Sequence, residues 1–443
     1  VKEGFFILAG MKKMNASDLY SFFQRHPEIS TDSRKIKENG LFFALKGPNF
    51  NGNQFAADAL KKGAAYAIID EEKYHQGENY LLVDDCLKAL QELAIYHRKN
   101  LNIPIIGITG SNGKTTTKEL INAVLKSTFN TLATSGNLNN HIGVPLSILS
   151  ITAEHEVAII EMGANHQGEI AFLSSIARPD IGMITNIGKA HLEGFGGIEG
   201  VKKGKSELYR FLESSNGLVV LNQDDETLKE LCKVKKRLTY GQASSSNVKG
   251  ILECSEPIIS GSWTTSLSSG KFNAQLYGTY NFYNILAAIA FGTHFKVSSE
   301  KISRAIESYQ SDNNRSQIID RGSYQLFLDA YNANPNSMME AIKSFESQTT
   351  SLQKNVVLGD MFELGEDAAN EHQGLIDYLL ASREISRIVL VGKNFYSLKV
   401  SDRKVLFFSQ TADAKKWFQT LDKRGNTFLL KGSRGMKMET IIE

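Results

Sequence analysis

Ile105-Ile106-Gly107-Ile108-Thr109-Gly110-Ser111-Asn112-Gly113-Lys114-Thr115-Thr116 decides the fold. The β-branched run Ile105 to Thr109 reads as a strand, a glycine-rich turn follows, and Leu120, Ile121, Val124 and Leu125 recur at helical spacing across Thr115 to Lys126. A strand, a glycine loop and a helix in that order form an anion cradle, because loop N–H groups and the helix N-terminus both turn toward the same oxygens. Thr109, Gly110, Asn112, Gly113, Lys114, Thr115 and Thr116 are therefore the candidate nucleotide-binding residues, with Lys114 reaching the outer phosphates and the Thr115 hydroxyl taking Mg2+. The longer consensus needs Gly at 108, where Ile stands, so the form present is T-G-x-x-G-K-T. The plain alternative, an ordinary glycine-rich turn, leaves the Lys-Thr register unexplained.

Outward from this loop, strands are expected at Val157 to Ile160, Ile181 to Thr185 and Leu218 to Leu221, which together suggest a parallel-sheet nucleotide fold over residues 103–312. The Ser-rich stretch Ala243 to Gly270 is read as a hairpin excursion. Pro104 marks a boundary, and residues 11–102 carry a helix at Ala16 to Phe23, an extended Leu41 to Leu45, an alanine-rich helix at Phe55 to Gly63 and a strand at Tyr66 to Ile69. Residues 313–443 show four strand-then-helix units, with strands Gln325 to Leu328, Asn355 to Leu358, Arg387 to Val391 and Thr427 to Leu430. That is the rhythm of a doubly wound sheet, in which ligands sit at the carboxyl ends of strands.

The length of 443 residues matches three domains at about 150 residues each. Fifty Lys plus Arg against 48 Asp plus Glu leave a net charge of +2, so no chain-wide field draws nucleic acid or anionic lipid. Cys86, Cys232 and Cys254 form no C-x-x-C pair and leave an odd thiol, as in a reducing cytoplasm. The apolar heart Ile285 to Phe291 is too short to span a bilayer, which takes roughly 20 apolar residues. Phe5-Phe6-Ile7-Leu8-Ala9 is shorter than the core of a secretory leader, and Met11 follows it. Residues 1–10 are read as preceding the natural start or as added sequence. The chain is expected to be a monomer.

Outside the loop, Glu161 closes an apolar strand and suits a magnesium ligand if that strand neighbours the loop strand; a solvated strand end is the alternative. His191 is a second candidate ligand, and no H-E-x-x-H site is present. Lys202, Lys203 and Lys205 read by themselves as a solvated helix face. The polar run Thr134 to Pro145 and the run Asp329 to Ser337 suit either substrate contacts or their own turns, and Ser337 with Glu340 reads as a capping box.

Taken together, the loop at 109–116, Gly136-Asn137-Leu138-Asn139-Asn140 with Ile142-Gly143-Val144-Pro145, Glu161 to Ile170, Ala190 to Gly196, Tyr331-Asn332-Ala333-Asn334-Pro335 and Leu358-Gly359-Asp360-Met361 resemble the Mur ligases of peptidoglycan synthesis. The resemblance runs from Thr31 to Glu439. It implies a three-domain α/β ligase with an N-terminal domain for the UDP-sugar, a central P-loop ATPase, and a C-terminal Rossmann-like domain for the amine. The run Gly163-Ala164-Asn165-His166-Gln167-Gly168-Glu169-Ile170 points to D-alanyl-D-alanine as that amine and to UDP-MurNAc-tripeptide as its acceptor.

By the same resemblance, Thr31, Asp32, Ser33, Arg34, Lys46 and Gly47 would hold the UDP-MurNAc portion, and Asn137, Asn139 and Asn140 would contact substrate. Lys114, Thr115, Glu161 and His191 would manage phosphate and Mg2+, and Lys205 matches a lysine that the family carbamylates into a metal-binding anion. Asn281 and Asn284 would lie near the adenine, with Arg315 and Asp329 reaching the nucleotide. Tyr331, Asn332, Asn334, Asp360, Met361 and Glu363 would shape the dipeptide pocket.

Three segments depart from the family. Tyr280-Asn281-Phe282-Tyr283-Asn284 replaces His-Asn-x-x-Asn, Asn313-Asn314-Arg315 replaces Pro-Gly-Arg, and Phe50-Asn51-Gly52-Asn53 stands where Asp-Gly-His is common. No Asp-Asn-Pro-Arg motif of the diaminopimelate-adding relative is present. A folylpolyglutamate-type ligase shares the loop and domain order but not the runs at 136–145 and 161–170. A nucleotide-binding regulator would not need Lys114, Glu161, His191 and Lys205 together, and an accidental glycine turn would not explain polar loops at each C-terminal strand end.

Overall fold

A computed structural model describes residues 13–311 and 314–443. The first ten residues, Met11, the boundary at 312/313 and Asn313 lie outside the described residues. The backbone packs as two compact units, one of residues up to 106 with 132–162 and 172–179, the other of 107–131, 163–171 and 180–443.

In the first unit, four parallel strands pair in the order Ile29–Ser30, Leu41–Phe43, Tyr66–Ile69 and Tyr80–Leu82. Leu41–Phe43 and Tyr80–Leu82 are buried at every position, which is why they read as unbroken apolar runs rather than alternating ones. The helix Ala16–Arg25 starts on a capping box between Asn15 and Asp18 and buries Leu19 and Phe23. The alanine-rich helix is shorter than expected. Gly52–Phe55 form a 3-10 turn, started by Asn51 accepting from the Asn53 N–H, and the α-helix runs only over Ala56–Lys61.

Asp85 caps the helix Cys86–Lys99, whose last turn buries Arg98. Its guanidinium donates to the carbonyls of Ala177 at 3.1 Å, Arg178 at 3.0 Å and Leu101 at 3.2 Å. Those carbonyls include the unpaired end of the helix Glu169–Ala177, so one cation closes a helix terminus that would otherwise be buried unsatisfied. The strand Val157–Glu161 lies beside the entry to the loop strand, with Ala158 N–H donating to Pro104 at 3.1 Å.

In the second unit the end of the strand Ile105–Thr109 meets the strand Ile181–Ile184, which ends one residue before the expected Thr185. Parallel strands Leu218–Asn222, Arg237–Gly241 and Val248–Cys254 follow in that order. Val248–Cys254, Ile259–Thr264 and Ser269–Ala274 then form antiparallel pairs, the hairpin expected there with a third strand added, and Trp263 is buried at its centre. The helix Tyr280–His294 buries eleven of its residues, so its apolar heart is core. Among the described residues no helix is long and apolar enough to cross a membrane.

The C-terminal sheet has the order Gln317–Asp320, Tyr324–Asp329, Asn426–Lys431, Gln353–Gly359, Ile385–Val391 and Val405–Phe408. All its pairs are parallel except the first. The sequence reading found four of these strands and missed the two at the edges, whose mostly half-buried residues carry a weaker apolar signal. Leu326, Leu328, Val357, Val389, Phe428 and Leu430 form the core with Phe418 and Met438. Three neighbouring strands thus end side by side, delivering Asp329, Asp360 and the run from Lys431 to one rim of the sheet.

Replacing Arg98 with Met keeps the apolar stem and removes every donor. The expected cost is about 2–4 kcal/mol, read as a lower urea midpoint for the first unit. An unchanged midpoint would show that the three carbonyls do not depend on the guanidinium.

Candidate active site

Two glycines give the phosphate loop its shape. Gly110 (φ 143°) and Gly113 (φ 78°) occupy the left-handed region. A Cβ at Gly110 would lie 2.0 Å from Thr185 Oγ1, and one at Gly113 would lie 2.9 Å from Asn284 Oδ1, so neither position admits a side chain. Lys114 is the first helical residue, and its Nζ donates to the carbonyls of Gly110 (2.7 Å) and Ser111 (3.1 Å). Thr115 and Thr116 are buried in the first turn, and the buried Thr109 hydroxyl has no hydrogen-bond partner among the described residues.

A second loop, which the sequence reading passed over, clamps the first. Thr185 Oγ1 donates to the Asn112 carbonyl at 2.5 Å, and Asn186 brackets Asn112, accepting from its N–H at 3.0 Å and donating to its carbonyl at 3.1 Å. The Ser111 hydroxyl donates to the Gly188 carbonyl at 3.1 Å. The available signal was Thr185-Asn186 directly after an apolar strand, at the carboxyl end where ligand-binding residues gather.

Asn281 and Asn284, expected beside the adenine, are buried and committed to the chain. Asn281 Nδ2 donates to Tyr277 at 2.8 Å and to Ser316 Oγ at 3.0 Å. Asn284 donates to Asn281 at 2.8 Å and accepts from Thr117 Oγ1 at 3.0 Å. They brace the loop helix from behind.

The basic run at 202–205 is not a uniform solvated face. Lys203 is exposed and Lys202 pairs with Glu199, but Lys205 is 1% exposed, points inward, donates to the Ala164 carbonyl at 2.9 Å and lies 5.0 Å from the Phe195 ring centre. Burial, with Lys114 nearby, holds the Lys205 amine well below the usual lysine range. The Ala164 loop is itself fixed by buried Glu207, which accepts from the N–H groups of Gly168 at 2.7 Å and Ala171 at 2.8 Å.

His191 adopts a left-handed backbone (φ 53°), a conformation that costs energy for a residue with a side chain, and its Nδ1 makes an ion-pair contact with Glu363. The Glu363 carboxyl is held below the usual range by that imidazole. In the first unit, Glu161 is 2% exposed, accepts from Asn139 Nδ2 at 2.8 Å, and its N–H donates to Thr134 Oγ1. Asn140 turns back on its own loop, accepting from the N–H groups of Ile142 and Gly143, and Asn137 is exposed. Of the expected UDP-sugar residues, Arg34 pairs with Asp32 at 2.8 Å, and that pairing lowers Asp32 to about 2. The Ser33 carbonyl receives Lys62, while Thr31 stays half-buried. Lys46 bridges Asp70 at 2.9 Å and Glu71 at 3.0 Å, and the adjacent Gly47 lies against the Phe50 ring.

At the C-terminal rim several of the residues expected to shape the dipeptide pocket make bonds within the chain. Asn334, not Ser337, is the N-cap of the helix Pro335–Glu346. It pairs with Ser337 in a capping box behind Pro335, which corrects the expected Ser337–Glu340 box, since Pro335 starts the helix three residues before Met338. Asn334 Nδ2 also donates to Asn112 Oδ1 at 2.6 Å, tying this helix to the phosphate loop. Asp360 is 2% exposed and accepts from the N–H groups of Asn394 and Phe395, capping the helix Lys393–Ser397. Met361 is fully buried. Asp329 is ion-paired with buried Lys431 at 2.5 Å. The exposed side chains here include Asn332, Phe362, Glu363 and Arg434, and the Arg315 guanidinium carbon lies 3.7 Å from the ring centre of half-buried Tyr331.

Among the described residues no three His, Cys, Asp or Glu side chains gather as a metal cage. Magnesium takes hydroxyl and carboxylate oxygens, keeps few protein ligands and draws the rest from water and phosphate, whereas imidazole is not among its usual donors.

Sequence profiles of three family regions match in order: "Mur ligase family, catalytic domain" over residues 27–98, "Mur ligase middle domain" over 108–292, and "Mur ligase, glutamate ligase domain" over 314–434. The UDP-N-acetylmuramoyl-tripeptide--D-alanyl-D-alanine ligase of Bacillus subtilis is 34% identical over 426 residues, covering 94% of this chain and 92% of that protein. A crystal structure of MurF from Acinetobacter baumannii superposes with a TM-score of 0.84 at 32% identity, over 97% of this chain and 98% of that one. The MurF ligase of Thermotoga maritima, in complex with ADP, gives 0.83 at 26% identity over 95% and 97%.

The site also carries a pH signature. His372 is fully buried, its Nδ1 facing the Ala368 carbonyl and its Nε2 accepting from Met361 N–H, so it is held neutral and its pKa is lowered by burial. The unfolded chain then binds a proton that the folded chain refuses, and stability falls as pH drops below about 6.5. H372Q should flatten that acid-side slope in a thermal-melt series; an unchanged slope would remove His372 from the account.

Proposed function

Because the chain belongs to the Mur ligase family and has its three-domain α/β architecture, we propose that it joins D-alanyl-D-alanine to UDP-N-acetylmuramoyl-tripeptide, giving the pentapeptide, ADP and phosphate. The observation that carries this reading is a fully built phosphate loop, with Lys114 and Thr115 in register, in a chain similar over nearly its whole length to ligases of that name. The domains are assigned as 11–102, 103–312 and 313–443, in a cytoplasmic monomer.

A carboxylate at neutral pH resists attack by an amine. One oxygen of the tripeptide carboxylate therefore attacks the γ-phosphorus of ATP, the bond to ADP breaks, and an acyl phosphate forms. Positioning and charge neutralisation carry such a transfer. The loop N–H groups that the clamp does not use hold the phosphates with Lys114, and Thr185 and Asn186, bonded to the Asn112 backbone, fix the course of the loop before the nucleotide arrives. The dipeptide amine then attacks the acyl carbon and phosphate leaves. An α-amine has a pKa near 8, so about a tenth is neutral at pH 7 and ready to react.

Within the second unit, Thr115, His191 and carbamylated Lys205 would hold Mg2+, which when bound offsets repulsion between carboxylate and triphosphate. Burial favours the neutral Lys205 amine, the form that adds to carbon dioxide: the C–N bond forms, a proton leaves to solvent and a carbamate anion remains. Exposure to 13C-labelled bicarbonate should give one carbamate carbon signal that K205R lacks. A spectrum without it would remove the modification from this reading.

Phosphate release from Mg-ATP should require both the nucleotide-linked tripeptide and the dipeptide, with the pentapeptide confirmed by mass. K114A should lower the rate by about 1000-fold or more. Release stimulated by neither substrate would defeat the assignment, and full turnover by K114A would defeat the site.

A further inference from the structure

The incoming dipeptide brings a carboxylate that takes no part in bond formation, two methyl groups and the reacting amine. A site built for it needs a cation for the first and an apolar wall for the second. Three loops leave the carboxyl ends of the adjacent strands Tyr324–Asp329, Asn426–Lys431 and Gln353–Gly359. They carry Tyr331, Arg434 and Phe362 respectively.

Of the cations on this rim, Lys431 is 2% exposed and ion-paired with Asp329, and Arg315 is half-buried with its guanidinium carbon 3.7 Å from the Tyr331 ring centre. Arg434 differs. Its side chain is 58% exposed, its guanidinium carbon lies 5.4 Å from the centre of the same Tyr331 ring, and Nη1 donates to Glu439 at 2.8 Å. Its other N–H groups make no hydrogen bond among the described residues. Glu439 and Tyr331 therefore aim an otherwise mobile side chain, as a guanidinium must be aimed to take a carboxylate on its fork.

Beside it, Phe362 is 42% exposed, large and apolar, yet its backbone is pinned by an N–H bond to Ser433 Oγ at 2.9 Å. Its ring covers Gly435, where a Cβ would come within 2.8 Å of Cε2. The residue after Arg434 is thus Gly because the Phe362 ring occupies the space of a side chain.

We propose that Arg434 is the specificity-determining residue that binds the terminal carboxylate of the incoming dipeptide, with Tyr331 and Phe362 walling its methyl groups. The inference rests on the ligase reading given above. It accounts for an aimed cation and an exposed aromatic ring on a pinned backbone on the same rim.

The test compares D-alanyl-D-alanine with its C-terminal amide, which keeps the amine and both methyls and loses the charge. The unaltered protein should prefer the acid by about thirtyfold in kcat/KM. R434Q should raise KM for the acid by about thirtyfold, leave the amide nearly unchanged and so abolish the preference, while R434K recovers part of it. ADP affinity and melting temperature, measured on the same preparations, should stay close to the unaltered values, which excludes a folding defect. Should R434Q keep the acid-over-amide preference, or should the unaltered protein show none, the proposal is overturned while the ligase reading stands. If the unaltered protein made no pentapeptide at all, the ligase reading itself would fall. F362A should raise KM for both compounds alike; an unchanged KM would remove Phe362 from the wall.

Discussion

The bond from Thr185 Oγ1 to the Asn112 carbonyl can form only because Gly110 has no Cβ, and the rest of the catalytic region depends on that close approach. A side chain at Gly110 would occupy the space of the threonine hydroxyl and force the two strand-end loops apart. With them together, Asn186 and Ser111 complete the clamp, and the loop backbone is fixed in advance of any phosphate. Preorganised donors of this kind stabilise developing charge without rearranging at the moment of reaction.

Many of the polar residues in the motifs hold this clamp and its supports together. Asn334 spends its oxygen on a helix cap and its amide on Asn112, Asp360 spends its carboxylate on two backbone N–H groups, and Asn281 and Asn284 brace the loop helix. A buried polar group without partners is costly, so such residues are held in place by what they already bind.

Legibility in the sequence followed the physics of each signal. The strand Ile105–Thr109 and the strand Tyr66–Ile69 were readable to the residue, because a fully buried parallel strand is a short apolar run with sharp ends. Val405–Phe408 and Gln317–Asp320 were not, since edge strands bury only part of each residue. The glycine loop announced its own chemistry, whereas Asn186 and Glu207 act through contacts 74 and 39 residues away, which no local pattern encodes. Ser337 was misread because a capping-box spacing also fits Asn334 three residues earlier, and Pro335 favours the earlier start.

Two buried lysines show how the same side chain is put to different uses. Lys431 meets the Asp329 carboxylate at 2.5 Å and the Asn332 carbonyl at 3.1 Å, an environment that satisfies an ammonium ion and locks two strand ends together. Lys205 is equally buried, but the contacts it makes among the described residues are one carbonyl and the face of an aromatic ring, with Lys114 adding repulsion. A charged ammonium is poorly supported there, while a neutral amine costs little and becomes a nucleophile. Loss of the positive charge next to Lys114 relieves that repulsion, and a carbamate would reverse its sign. The two lysines thus share burial and differ in what they contact: the Asp329 carboxylate for Lys431, a carbonyl and an aromatic ring for Lys205.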